Sequence, residues 1–164
     1  MLDEHRVLQD LELWQHRVET YLAFLYHDAI YDYGAKDNEQ RSADLAMREL
    51  QQWLPDCEAE RVHRLIVLTA SHGDLDRQTL DHDERLFLDC DMAIVGADWQ
   101  RFSLYQQQIE QEYTQVYPQL LYRMGRRRFL NKILRSERIF FSDHFHHQLD
   151  AQARSNLRRA LGGH

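Results

Sequence analysis

A chain of 164 residues, 43% hydrophobic and 11% aromatic, is the size of one ordinary domain and too apolar to be intrinsically disordered. Its apolar runs are too short to cross a bilayer, its charged opening MLDEHRVLQD is no secretion signal, and Cys57 and Cys90, at no metal-ligand spacing, read as free thiols. A net charge of -7 speaks against a general nucleic-acid binder, so we expect a cytoplasmic protein with no nucleic-acid and no membrane partner.

Helical periodicity runs through nearly the whole chain, and 2 prolines and 6 glycines give it little punctuation, which predicts one all-α domain over residues 1–164. A first helical stretch runs from about Asp3 toward Tyr26 and breaks near Gln15 to Arg17, so that one helix carries His5 and the next ends near His27. Asp37 reads as the N-cap of a helix with Gln40 three residues on, closed by Pro55. Another helix runs from Glu58 to about His72 and stops at Gly73. In the polar stretch GDLDRQTLDHDE, Asp83 reads as the N-cap of a helix beginning at Glu84; that helix is apolar on most sides, ends at Gly96 and should be central. Asp98 caps a helix carrying Phe102, Tyr105, Ile109, Tyr113 and Val116 on one stripe, and Pro118 opens another through Leu134. After a short extended piece, Arg138 to Phe141, the last helix runs from about Asp143 to Leu161 and stops at Gly162-Gly163.

The stretch YLAFLYHDAIYDYGAKDNEQRSA, Tyr21 to Ala43, carries the clearest chemical signal. With 10 His in the chain, about one His-Asp doublet is expected by chance, and His82-Asp83 is a second one. His27-Asp28 differs in following an apolar run, Tyr21 to Tyr26. A buried carboxylate needs a compensating charge, so a doublet there is expected to bind a metal, close an ion pair or titrate abnormally.

Read in order, FLYHDAIYD, DNEQRSA, LIVLTASH, LFLDCDMAIVG, YQQQIEQEY, GRRRFLNKILRSERIF and AQARSNL resemble the HD superfamily of metal-dependent phosphohydrolases, and within it a small bacterial branch. The superfamily signature is a His, then His-Asp, then a distant Asp, and the resemblance covers most of the chain. It implies a helical bundle of HD type in which His27 and Asp28 are the doublet. It places the distant Asp in LFLDCDMAIVG, where Asp89 and Asp91 compete. Residues two apart on a helix point in different directions. Asp91 has Phe87, Leu88, Ile94 and Val95 at neighbouring helical positions and is preferred to Asp89, which has Arg85 among its neighbours. His5 is the expected first His, because His16 lies too close to His27 to return to one site. Members of the branch begin with an extra Arg-x-Tyr-His segment, whereas Met1 stands almost on top of His5, so a missing N-terminal segment is expected. His72 is a candidate ligand of a second metal or a phosphate-holding group, with an ordinary helix C-cap as its alternative. Glu39 is a candidate general base or water-orienting group at a helix turn that favours a carboxylate in any case.

The resemblance implies one or two divalent ions, Mn, Fe, Co, Ni, Zn or Mg, on mixed imidazole and carboxylate donors. It implies hydrolysis of a phosphoester or phosphoanhydride on a small phosphorylated molecule, nucleotides included, with Asp28 both ligating and orienting the water. Two rivals stand beside it: a catalytically degenerate metal- or ligand-binding module, and a purely structural His27-Asp28 pair. Arg123, Arg126, Arg127, Arg128, Lys132, Arg135 and Arg138 make the segment after Pro118 basic, read as a solvated face able to steer a phosphorylated ligand. His144, His146 and His147 read as a surface cluster. Aromatic residues Phe102, Tyr105, Tyr113 and Tyr117 permit a homodimer face.

Overall fold

The computed structural model describes residues 2–32 and 34–162. Among them the regular structure is entirely helical: α1 (Leu2–Asp10), α2 (Arg17–Tyr26), α3 (Asn38–Trp53), α4 (Ala59–Thr69), α5 (His82–Met92), α6 (Trp99–Tyr113), α7 (Gln119–Arg135) and α8 (Asp143–Ala160), with three short 3-10 turns. The all-α class expected from periodicity is what forms, and no described helix is long and apolar enough to cross a membrane. The extended piece expected at Arg138 to Phe141 is irregular backbone instead; Ile139 and Phe140 are buried, and the Ile139 amide donates to Asp150 Oδ1 at 2.9 Å.

The helices group into two compact units, Met1–Asp91 and Met92–His164. The first holds 21 Asp and Glu against 9 Lys and Arg, a net of -12; the second holds 6 against 11, a net of +5. The modest overall charge therefore conceals two units of opposite sign.

In the first unit, α2, α3 and α4 pack on one another through small and branched side chains, Ala23, Ala43, Ala46, Val62, Leu65 and Ile66, all essentially inaccessible. Small residues let helix backbones approach, and the branched ones fill the grooves between them. The expected break between the first two helices falls at residues 11–16, where Glu12 takes a left-handed φ of 54° and the Trp14 indole donates to the His5 carbonyl at 3.3 Å. Asp37 does hold the N-cap position of α3, but its side chain makes no capping bond, and Gln40 reaches forward to Asp44 at 2.8 Å rather than closing a capping box. Helix α4 ends at Thr69 rather than near His72, which lies in a separate 3-10 turn, His72–Asp74.

The start of α5 corrects a second expectation. Asp81, not Asp83, is the capping residue: its Oδ1 accepts the Glu84 amide at 2.9 Å while Glu84 Oε2 accepts the Asp81 amide at 2.9 Å. That reciprocal pair is a capping box, and Arg64 closes on the Glu84 carboxylate as well. The rest of α5 is buried around its circumference through Leu86, Phe87, Leu88 and Cys90.

In the second unit, α8 seats on the turn Ala93–Gly96. A Cβ on Gly96 would lie 2.6 Å from Leu149 Cβ, and Asn156 Nδ2 donates to the Val95 and Ala97 carbonyls on either side, at 2.9 and 2.8 Å. Glycine is therefore a steric requirement there. Asp98 caps α6 by accepting the Arg101 amide at 3.0 Å, as the sequence predicts.

Candidate functional site

His27 follows the last residue of α2, its amide bonded to the Ala23 carbonyl at 2.9 Å. The chain then turns, and Ser42 of α3 holds the turn by accepting the Ile30 amide at 3.0 Å and donating to the Ile30 carbonyl at 3.2 Å. Burial of Ser42 fixes that anchor, so the His-Asp doublet leaves α2 toward the first turn of α3, where Glu39 lies half-buried.

The imidazole is oriented by its own helix. His27 Nδ1 donates to the Phe24 carbonyl at 2.9 Å, which leaves Nε2 facing Asp28 Oδ2 at 3.0 Å. Both ring nitrogens thus face oxygen acceptors, an arrangement suited to the imidazolium. Burial pulls the His27 pKa down, but the hydrogen bond and charge of Asp28, the Phe24 carbonyl and the charge of Asp91 outweigh it, and the pKa lies above the usual histidine value. Asp28 itself is 66% exposed, against the expectation that the whole doublet is interior; only the imidazole, at 17%, is largely covered.

Asp91, near the end of α5, lies within electrostatic reach of this pair. Its carboxyl is pushed up to about 6, first by burial and then by the charges of Asp28 and Glu39, against the pull of His27. Asp91 keeps partial surface exposure, yet protein atoms crowd it closely enough for desolvation to dominate. Its rival Asp89 is the more buried of the two, at 0% exposure, and engages other groups. His27 and Asp28 at the end of α2, Glu39 of α3 and Asp91 of α5 therefore share one electrostatic neighbourhood.

His5 is a different case. Its ring, 3% exposed, is stacked on Trp14 at 5.3 Å, set edge-on to Phe24 at 4.8 Å and tilted against Tyr21 at 5.6 Å. Burial, helped by the charge of Arg17, lowers its pKa, so the ring is a neutral core side chain; its Nε2 is buried and has no hydrogen-bond partner among the described residues. His72 is half-buried in its 3-10 turn and does not cap α4, which closes at Ala70.

Part of this donor set suits a divalent ion. A metal-bound histidine typically donates its other ring N–H to a carbonyl, which is what His27 Nδ1 does. His27 Nε2 and Asp28 Oδ2, 3.0 Å apart, are close enough to serve as two ligands of one ion, and Asp91 is the second carboxylate of the neighbourhood. Among the described residues, however, no three His, Cys, Asp or Glu side chains are already drawn together as a ligand set.

Sequence reasoning missed the strongest His-Asp contact in the unit. Asp83, 1% exposed, accepts the Gln15 amide at 3.0 Å, the His16 amide at 2.8 Å and His16 Nδ1 at 2.9 Å. The available signal was the Asp-x-x-Glu spacing of Asp81 and Glu84, which assigns the cap to Asp81 and leaves Asp83 free for another task. Comparison of the chain with protein-family models, curated proteins and solved structures returns no match.

Proposed function

We propose that the first unit is a metal-dependent phosphohydrolase centre in which His27, Asp28 and Asp91 hold a divalent ion. The observation that carries this reading is the orientation of His27: Nδ1 is committed to the Phe24 carbonyl, Nε2 faces Asp28, and the charge of Asp91 acts on the same ring. The resemblance to the HD superfamily supplies the reaction class, hydrolysis of a phosphoester or phosphoanhydride, nucleotides included.

A divalent ion bound there lowers the pKa of its water and polarises a phosphoryl oxygen. The protein's own part is positioning and proton handling. Phe24 keeps the tautomer of His27 with Nε2 outward, Asp28 is exposed enough to reach a water molecule as acceptor, and Glu39 sits at the helix start where it can orient one. Asp91, whose carboxyl is pushed up to about 6, would hold the ion as a carboxylate and so would have to be deprotonated on binding it. His5 supports the site as the aromatic packing beneath Phe24, and His72 is kept as a second-ion or phosphate group on the resemblance alone.

Metal analysis of untagged protein, with melting curves of wild type and Asp91→Asn in the presence and absence of chelator, tests the reading. Near-stoichiometric metal that is lost in the variant supports it. No metal and no chelator effect sinks it and leaves the second reading, a structural imidazolium–carboxylate pair, which the two acceptor-facing ring nitrogens favour.

A further inference from the structure

The apolar stripe of α6 is only partly buried. Phe102 is fully buried, but Tyr113 and Val116 are 38% and 49% exposed. From Tyr105 onward the stripe instead lines a cleft against α7, with a volume of about 620 Å³. The two helices run antiparallel, joined through residues 114–118, with Gln119 and Arg123 both reaching Glu110 and Arg126 reaching Gln106. Its lining runs from Tyr105 to Tyr113 on α6 and from Leu121 to Phe129 on α7, eight residue steps each, so the cleft is about 12 Å long at 1.5 Å per residue.

Its two ends differ. The end near the interhelical turn is walled by Tyr113, Tyr117 and Leu121 and is apolar. At the other end stands Arg126, whose guanidinium lies over the Tyr105 and Phe129 rings at 5.5 and 5.1 Å. Its Nε donates to Gln106 Oε1 at 2.8 Å, and its Nη groups meet no acceptor among the described residues. That bond engages Nε and leaves the two Nη groups as the remaining donors of the guanidinium, at the end where the apolar cleft begins.

Gly125 is the third observation. It lies inside a 17-residue helix, where glycine is unfavourable, and a Cβ there would meet nothing within 4 Å. No contact within the chain requires it, and it lines the cleft. What a side chain at Gly125 would fill is the cleft itself.

We propose that the α6–α7 cleft binds a medium-chain carboxylate, its two oxygens on the two Nη groups of Arg126 and its hydrocarbon chain along the aromatic walls toward Tyr113 and Tyr117. The paired Nη N–H groups of a planar guanidinium match a carboxylate's two oxygens, and an extended chain of about ten carbons spans such a length. The site lies wholly in the second unit and is independent of the proposed metal centre.

Titration calorimetry with laurate below its micelle concentration tests this on the full chain. The expected result is saturable one-to-one binding, weakened about tenfold or more in Arg126→Gln and for the uncharged dodecanol, in line with loss of a charge-assisted pair. Gly125→Leu should abolish binding while melting no lower than wild type, which separates a filled cleft from a misfolded variant. Equal affinity for dodecanol, unchanged binding in Arg126→Gln or retained binding in Gly125→Leu would overturn the proposal. Binding to phosphatidylglycerol vesicles without binding to monomeric laurate would also overturn it, in favour of a membrane surface as the source of the anion.

Discussion

His16 faces Asp83 at 2.9 Å and His27 faces Asp28 at 3.0 Å, two contacts of nearly equal length in the same unit. In the first pair the carboxylate is buried, at 1%, and the imidazole is one-third exposed; in the second the carboxylate is 66% exposed and the imidazole is the covered partner. Asp83 also accepts two backbone amides from a loop 67 and 68 residues earlier in the chain, whereas Asp28 pairs with the residue beside it. Burying the carboxylate makes a tertiary clamp; exposing it leaves the carboxylate in contact with solvent while one oxygen holds the imidazole. A pair that is expensive to break is structural, and a pair that breaks cheaply is available for chemistry.

The comparison is broken most directly at Asp83. Asp83→Ala leaves two amides and an imidazole facing a void and should cost about 3–5 kcal/mol in urea unfolding. If it costs less than 1, the clamp is not what ties residues 15 and 16 to α5.

Next in size is Asp91. Its pKa is raised in the folded protein, so its stabilising contribution is fully present below about pH 4 and is lost as pH rises through about 6. His27, also raised, contributes below its unfolded value and loses that contribution as pH rises through its folded one, in the same direction. Metal-free protein should thus weaken between pH 4 and 7. Asp91→Asn should relieve on the order of 2–3 kcal/mol at pH 7 and flatten that part of the profile. A pH-stability curve that is identical for wild type and variant would remove Asp91 from the His27 neighbourhood.

Gly125→Ala should raise stability by about 1 kcal/mol, since the methyl enters open space and the helix gains propensity. Thermal melts decide it, and a loss of stability would show that the helix needs the glycine for its own packing. Smallest of all, Asp28→Ala should change stability by less than about 1 kcal/mol, and that little should vanish in high salt. An effect equal to that of Asp83→Ala would erase the distinction between the pairs.

Local signals were legible in the sequence. The helical class, the break before Arg17, the cap at Asp98 and the closure of α3 before Pro55 follow from periodicity and from residues that bond their immediate neighbours. What was not legible depends on distant partners. Nothing near Asp83 announces that residues 15 and 16 will bring their amides to it, and nothing near Asp28 announces that the turn pinned by Ser42 will point it outward. Likewise the stripe on α6 has helical apolar periodicity, but α7 brings Gly125 and Arg126 to it between Leu121 and Phe129, so a seam becomes a cleft. The neighbourhood of His27 and Asp91 was reachable from the resemblance, not from spacing alone.

The opposite signs of the two units bear on how the protein behaves in a tube. At the pH where its net charge vanishes, the molecule still carries a strongly anionic half and a cationic half, so copies attract one another most where mean charge would predict indifference. Added salt screens that attraction, and solubility near the isoelectric point should rise with ionic strength: salting-in.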